Sequence, residues 1–494
     1  MGGVYRRPRP RPRAAAGSGP ARDADAAKRD VARRSGNPRR AAYQVLAAVE
    51  NREAYANLLL PKLLADRDIT GRDAALATEL AYGTLRGQGT YDAVLAACSD
   101  RPLDKLDPPV RQILRLGAHQ LLATRIGAHA AVATSVDLAK QVVGPRVSGY
   151  VNAVLRRVAT RDLDAWLAIV APDPATDADG NLAVRYSYPR WIVAAYRAAL
   201  GAAADAELEV ALAEGNARPK VTMATLPGGQ DRDQVMPAGA EPGRWSPYAF
   251  TLDSGNPADL IASGRAAVQD EGSQLAALAL ARAPLAPAAD AGGGERWLDM
   301  CAGPGGKSRL LQGLATIADP PASLVAAELH PHRAALVREA LSRAGGRQGA
   351  AAEVIVADGT RPPWPDGSVD RVLVDAPCSG LGALRRRPEA RWRKAESDLA
   401  ALAELQRALL RSALAAVRPG GVVAYVTCSP VPAETQDVVT AVADVDPEVE
   451  ILDAQAVLAD VPGTDSAGPL FAQLWPHRHG TDAIFIALLR RRPQ

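Results

Sequence analysis

The stretch from Glu295 onward confines the fold more than any other part of the chain. Short apolar runs (RWLDM, SLVAAE, AEVIVAD, DRVLVDAP and GGVVAYVTCS) alternate with the helical segments KSRLLQGLAT, RAALVREALSRA and DLAALAELQRALLRSALAAV. Strands that are apolar on both faces need cover on both, and strands separated by helices join in parallel through crossovers. An α/β, Rossmann-like sheet with helices on either side is therefore expected over residues 266–494. The closing LWPHRHGTDAIFIALLRR adds an antiparallel strand. Ligands of such sheets bind at the carboxyl ends of the strands.

Those strand ends carry the chemistry. LDMCAGPGGKS joins the first strand to its helix. Gly303, Gly305 and Gly306 permit positive φ and a close ligand, and the helix N-terminus supplies partial positive charge. The spacing is neither GxxxxGK[ST] nor GxGxxG, which excludes a Walker A loop and a dinucleotide fingerprint. Asp299 precedes the loop, Glu328 ends the second strand, Asp358 follows the third in VADGT, and Asp375 ends the fourth. Any one of these acids reads equally well as a helix cap or a turn. Four at successive strand ends suit a cationic nucleoside, and S-adenosylmethionine meets that description. Glu328 is placed for ribose hydroxyls and Asp358 for an adenine amino group.

Cys378, in VDAPCSG, follows strand four, and Cys428, in VTCSP, follows strand five. Adjacent strands lie about 4.8 Å apart, so both thiols face one pocket. A lone strand-end cysteine is often a small buried hydrophobe, but two beside one cleft point to chemistry. Carbon 5 of cytosine is too electron-poor to take a methyl group directly. Thiolate attack at C6 makes C5 nucleophilic; loss of the C5 proton and β-elimination then free the enzyme. Asp375 is placed to hold the N3/N4 edge of the base. By position alone Cys378, behind its proline, reads as the nucleophile.

The rest of the chain is organised differently. Residues 37–160 show apolar spacing of three and four in RRAAYQVLAAVE, RDAALATELAYGTLRGQGTYDAVLAAC, PVRQILRLGAHQLLAT, AAVATSVDLAKQVV and GYVNAVLRRVA, with breaks at Gly71, LDPP and GAHA. An all-helical domain is expected, with His119 and His129 as packing or surface residues. Residues 161–265 mix a helix in YSYPRWIVAAYRAAL with a strand in PKVTMATLP, as a small α/β subdomain. Residues 1–36 open with RRPRPRPR, which cannot form a helix because proline removes donors. It reads as a solvated basic arm that touches a nucleic-acid backbone, or as a plain tail. Residues 1–40 hold eleven Arg and one Lys against three Asp, while the whole chain is only +3, so the remainder is net acidic. RNA binding is then local to one face, for which RRRPEARWRK (385–394) is the candidate: Arg for phosphates, Trp392 to stack on a base. A substrate base has to be unpaired or turned out of its stack to reach a thiol. Four scattered cysteines and the absence of CxxC or HExxH argue against a disulfide framework or a zinc site. They fit a reducing cytoplasm, and no apolar run suggests a membrane span.

Taken together, LDMCAGPGGKS, DAPCSGLG and VTCSP resemble the RNA cytosine-C5 methyltransferase family (NOL/NOP2/Sun). The order of the parts and the ending LWPHRHGTDAIFIALLRR are similar to its bacterial Sun/Fmu branch over residues 37–491. The resemblance implies a NusB-like RNA-binding domain ahead of a class I methyltransferase domain, with S-adenosylmethionine as cofactor. It implies a cytosine of 16S ribosomal RNA as substrate, and a monomer is expected. Cys301, Ala302, Gly303, Pro304, Gly305, Gly306, Lys307, Glu328, Asp358 and Asp375 would bind the cofactor. Cys428 would be the nucleophile and Cys378 would assist product release, reversing the assignment that position alone suggests. PKVTMATLP lacks the Arg-x-Asn strand of many such relatives. The competing readings are a cytosine-C5 methyltransferase acting on tRNA, another RNA or DNA, and an RNA-binding antitermination protein with an idle methylase domain.

Overall fold

Helical periodicity in the N-terminal part winds the helices Pro38–Glu50, Ala56–Ala65, Gly71–Arg86, Gln88–Cys98, Pro108–Leu122, Ala128–Val142 and Ser148–Val158. The computed structural model describes residues 36–51, 54–253, 257–287, 293–344 and 351–493. The basic arm of residues 1–36 lies outside them but for Gly36. Asn37 caps the first helix by accepting from the Arg39 N–H at 2.9 Å, with Pro38 at the first helical position. The stretch expected as one helix over RDAALATELAYGTLRGQGTYDAVLAAC is two, because Gly87 ends the first and caps the second. Their apolar faces meet around Leu46, Leu80, Leu95, Ile113, Leu114 and Val154, all buried. Each such side chain contributes roughly 1.5–3 kcal/mol relative to exposure. His119 is 2% exposed and bonds the Tyr91 hydroxyl at 2.9 Å, whereas His129 is exposed.

Short helices from Leu163 to Glu214 follow, then a four-stranded antiparallel sheet. Its strands are β1 (Val221–Thr225), β2 (Glu241–Pro242), β3 (Ala249–Leu252) and β4 (Ala266–Val268), in the order β2-β3-β1-β4. PKVTMATLP supplies β1, which pairs with both β3 and β4. The helices lean on the catalytic half through Tyr188, Ile192, Tyr196 and Leu212, packed with Leu381, Leu384 and Trp475.

The larger sheet is built as the alternation requires. β5 (Arg296–Asp299), β6 (Ser323–Glu328), β7 (Ala352–Val356), β8 (Val369–Asp375) and β9 (Val417–Thr427) are parallel. β12 (Phe485–Arg491), from the closing segment, runs antiparallel to β9. Beyond the expected strands, β10 (Val449–Leu452) and β11 (Ala472–Gln473) also pair with β12. The order β10-β12-β9-β8-β5-β6-β7 places β5 between β6 and β8. Strand order reverses between β5 and β8, so a crevice opens there at the carboxyl ends. One apolar layer, with Leu275, Leu311 and Ile486, covers one face of this sheet; another, with Val372, Leu410 and Tyr425, covers the other.

Candidate active site

The Gly-rich loop leaves β5 into this crevice. Gly305 holds φ +108°, and a Cβ there would stand 2.8 Å from the Ala340 Cβ. At Gly303 a Cβ would meet the Glu328 carboxylate at 2.3 Å, so only glycine lets that acid bond the loop. Glu328 accepts from the Gly303 N–H and the His330 N–H, each at 3.0 Å, and lies 3.6 Å from Arg333. Ala302 is buried and its N–H donates to Ala327, tying the loop to β6; Pro304 is exposed. Gly306 begins the helix Gly306–Ile317. Asp358 turns its carboxylate onto the N–H and hydroxyl of Thr360, which holds it below the usual carboxylate range.

Asp299 is 1% exposed. One of its oxygens accepts from Ser308 Oγ at 2.6 Å, and the other has no hydrogen-bond partner. Burial, reinforced by the charge of Asp375, pushes its carboxyl up to about 7. Burial also pushes the Cys301 thiol well above its ordinary value, with Asp299, Asp375 and Glu328 adding to the effect. Thiolate chemistry at Cys301 is disfavoured accordingly.

Lys307 reaches from the first turn of the helix to Asp375, Nζ to Oδ2, at 2.8 Å. Burial pulls its ammonium down, but Asp375 outweighs burial and holds it above the ordinary lysine value. Next to this pair lie the two cysteines, both half-buried, with sulfurs 3.4 Å apart. That is far longer than the ~2.05 Å of a disulfide. The Cys428 thiol sits below its ordinary value, first through its hydrogen bond with Cys378; Lys307 adds to this, while burial and Asp375 oppose it. The same bond, with burial and the charge of Glu434, pushes Cys378 up. The two sulfurs share one hydrogen bond, beside which Lys307 favours the charged form of Cys428 and Glu434 opposes that of Cys378.

The structure brings Cys301–Lys307, Glu328, Asp375, Cys378 and Cys428 around one crevice, with Asp358 at the end of β7. It also contains residues that the motifs did not announce. Glu434, fully buried in the turn Pro432–Glu434, accepts from the Ser379 N–H at 2.7 Å, Ser379 Oγ at 2.5 Å and Ser429 Oγ at 2.7 Å. Its only sequence signal is an acid six residues past Cys428 in an otherwise apolar stretch. Gly382, in CSGLG, exchanges backbone bonds with Cys428 and Ala483, and a Cβ there would stand 1.9 Å from the Ala483 oxygen.

The expectation that RRRPEARWRK faces RNA is corrected. Arg385 and Arg386 form a buried quartet with Asp270 and Asp482, with bonds of 2.6–3.2 Å. Arg391 is fully buried. It donates to the Ser187 carbonyl at 2.9 Å and Asn216 Oδ1 at 2.8 Å, and it lies 4.1 Å from the Tyr188 ring centroid. Arg393 donates to the carbonyls of Val49 and Ala54, and Glu389 accepts from the Ala56 N–H. Trp392 packs where Gly89 leaves room. Desolvated guanidinium groups need such partners, and here the partners are other parts of the chain. The segment fastens the helical domain to the loop after Cys378; Arg387 alone of its arginines is exposed, over the Tyr55 ring.

Among the described residues no helix is long and apolar enough to cross a membrane, and no group of three His, Cys, Asp or Glu is placed to hold a metal ion.

Comparison with known proteins bears on the family and the fold. The family model for 16S rRNA methyltransferase RsmB/F matches residues 286–490, and that of the NusB family matches 36–160. A putative methyltransferase of Mycobacterium tuberculosis (strain CDC 1551 / Oshkosh), MT1451, is 50% identical over 458 residues, 92% of this chain and 96% of that protein. The ribosomal RNA small subunit methyltransferase B of Pseudomonas syringae pv. tomato is 36% identical over 420 residues, 82% of this chain and 86% of that one. The crystal structure of PH0851 shares the fold, with a TM-score of 0.73 at 23% identity over 92% of this chain and 99% of that one. With a NusB-family domain ahead of its α/β methyltransferase domain, the chain belongs to the RsmB/F family of 16S rRNA methyltransferases.

Proposed function

We propose that the protein transfers a methyl group from S-adenosylmethionine to carbon 5 of a cytosine in 16S ribosomal RNA, through a covalent bond between Cys428 and C6 of the base. The observation that carries this reading is the sulfur pair at 3.4 Å beside the Lys307–Asp375 ion pair. The residues present suit the cofactor. The buried Asp299 oxygen without a partner favours a cationic or donating group, and the glycines keep side chains out of the loop, so that a ligand can approach its backbone closely. Residues 301–307, Glu328, Asp358 and Asp375 would hold S-adenosylmethionine, which supplies an electrophilic methyl group.

The protein's own groups divide the remaining work. Cys428, beside the Lys307 ammonium that favours its charged form, is taken as the nucleophile that bonds C6. Cys378 keeps its proton and donates it as a hydrogen bond. Once C5 is methylated, its proton passes to solvent, the C5=C6 double bond re-forms and the C6–S bond breaks. The Cys428 sulfur then departs as a thiolate into the Cys378 S–H, which lowers the cost of expelling it. Asp375 faces the same space, where its carboxylate can accept from the cytosine N4 amino group.

Incubating the full chain with labelled S-adenosylmethionine and separate pools of 16S rRNA, tRNA and DNA tests the reading. Label recovered as 5-methylcytosine from 16S rRNA is the expected outcome. Label confined to DNA or tRNA, at another atom, or in nothing, overturns it.

A further inference from the structure

The two cysteine loops leave different strands, yet one side chain ties them. Cys378 is followed by Ser379 and Cys428 by Ser429, and the hydroxyls of both serines end on the same oxygen, Glu434 Oε2. Glu434 Oε1 takes the Ser379 N–H at 2.7 Å and Gln406 Nε2 at 3.3 Å. Gln406 in turn holds the Pro377 carbonyl at 2.9 Å, on the Cys378 loop. A carboxylate has about four acceptor sites, and four donors fill them here. Desolvating a carboxylate costs several kcal/mol, and an apolar residue would fill the same space without that cost. The bonds of Glu434 go to the loops that present the two sulfurs.

We propose that Glu434 is a positioning residue, whose carboxylate clamps the Cys378 and Cys428 loops at the separation where one sulfur donates to the other. The proposal rests on the two-cysteine reading of the site. Glu434 is fully buried, and its bonds go to the protein's own donors. It acts through the geometry of Cys378 and Cys428, and misplacing a reacting group by about 1 Å costs on the order of 10²-fold in rate.

The clamp is tested on the full chain without RNA by oxidising the thiols with diamide. The diazene takes two hydrogens and becomes a hydrazine, and one S–S bond forms between Cys378 and Cys428, read as the loss of two hydrogens by peptide mass. Glu434→Gln keeps the volume but removes the charge and one of the two acceptor oxygens, so the charge-assisted bonds that join the two loops are lost. It is expected to slow this disulfide at least about tenfold and to lower kcat about 10²-fold, with KM for S-adenosylmethionine within about twofold of the parent. Glu434→Asp keeps the charge but is a methylene shorter, and is expected to restore neither. Disulfide formation and kcat at parental values in Glu434→Gln overturn the proposal. Should that variant fail to fold, Ser379→Ala and Ser429→Ala decide. Each removes one hydroxyl from the clamp and is expected to slow the disulfide several-fold; parental rates in both overturn the proposal. A slowed disulfide in a protein whose parent leaves C5 of 16S rRNA unlabelled supports the clamp and removes the cytosine reading instead.

Discussion

The crevice at the strand ends and the arginine segment that follows it are both dense in charge, and they put that charge to opposite uses. In the crevice Asp299 keeps a buried oxygen without a hydrogen-bond partner, and both cysteines are half-buried. After Cys378, Arg385, Arg386, Arg391 and Arg393 each donate to carboxylates or carbonyls of other segments, although the Nε of Arg391 and of Arg393 has no partner. Acids and thiols that converge on one set of strand ends signal function. Charged groups bonded to distant segments of the same chain signal assembly. A local run of sequence shows the charge and not the partner.

The sharpest break of that comparison is at the sulfurs. Cys428→Ala is expected to reduce methyl transfer by on the order of 10⁴-fold or more and to end covalent capture of RNA. Cys378→Ala is expected to accumulate a protein–RNA species that survives a denaturing gel. The opposite pattern would exchange the two roles.

Arg391→Ala leaves the Ser187 carbonyl and Asn216 without their donor and empties a buried site beside Tyr188. We expect a loss of about 3–5 kcal/mol in urea unfolding. Arg387→Ala, at the exposed guanidinium, is expected to stay within about 0.5 kcal/mol. If Arg391→Ala kept its stability and instead raised KM for RNA, the segment would be an RNA contact after all.

Lys307→Met removes the ammonium that helps hold Cys428 toward thiolate. The acid limb of the kcat/KM profile is expected to move to higher pH, so the deficit is largest at low pH and shrinks as pH rises. An unmoved limb would remove Lys307 from the electrostatics of the nucleophile.

The smallest effect concerns Asp299. Its folded value of about 7 lies above that of an unfolded aspartate, near 3.9. The folded protein therefore binds the extra proton, and the stability this contributes is complete below about pH 4 and is lost as pH rises through about 7. Asp299→Asn is expected to flatten that part of the curve in urea midpoints taken from pH 4 to 8. An unchanged slope would show that Asp299 is ionised across the range.

Much of this was legible in the chain. The strand–helix alternation required a parallel sheet, and the glycines of LDMCAGPGGKS and CSGLG stand where a Cβ would strike Glu328 or Ala483. Helical periodicity marked the N-terminal domain but missed the break at Gly87, since apolar spacing continues across it. Glu434 was not legible, because its meaning lies in serines that come from two loops.

Sequence by itself determined what is local: the period of each segment, the turns that only glycine can make, and the residue types at each strand end. Those depend on dihedrals and side-chain chemistry within a few residues. Tertiary structure decided how close the two cysteines stand, which acid bonds both of their loops and which arginines are spent inside the fold. Each of those depends on desolvation and on partners tens to hundreds of residues away, such as the Arg391–Ser187 bond or the Glu389–Ala56 bond. A hydrogen bond or a charge interaction acts over a few ångströms, and only the folded chain brings those groups within that range.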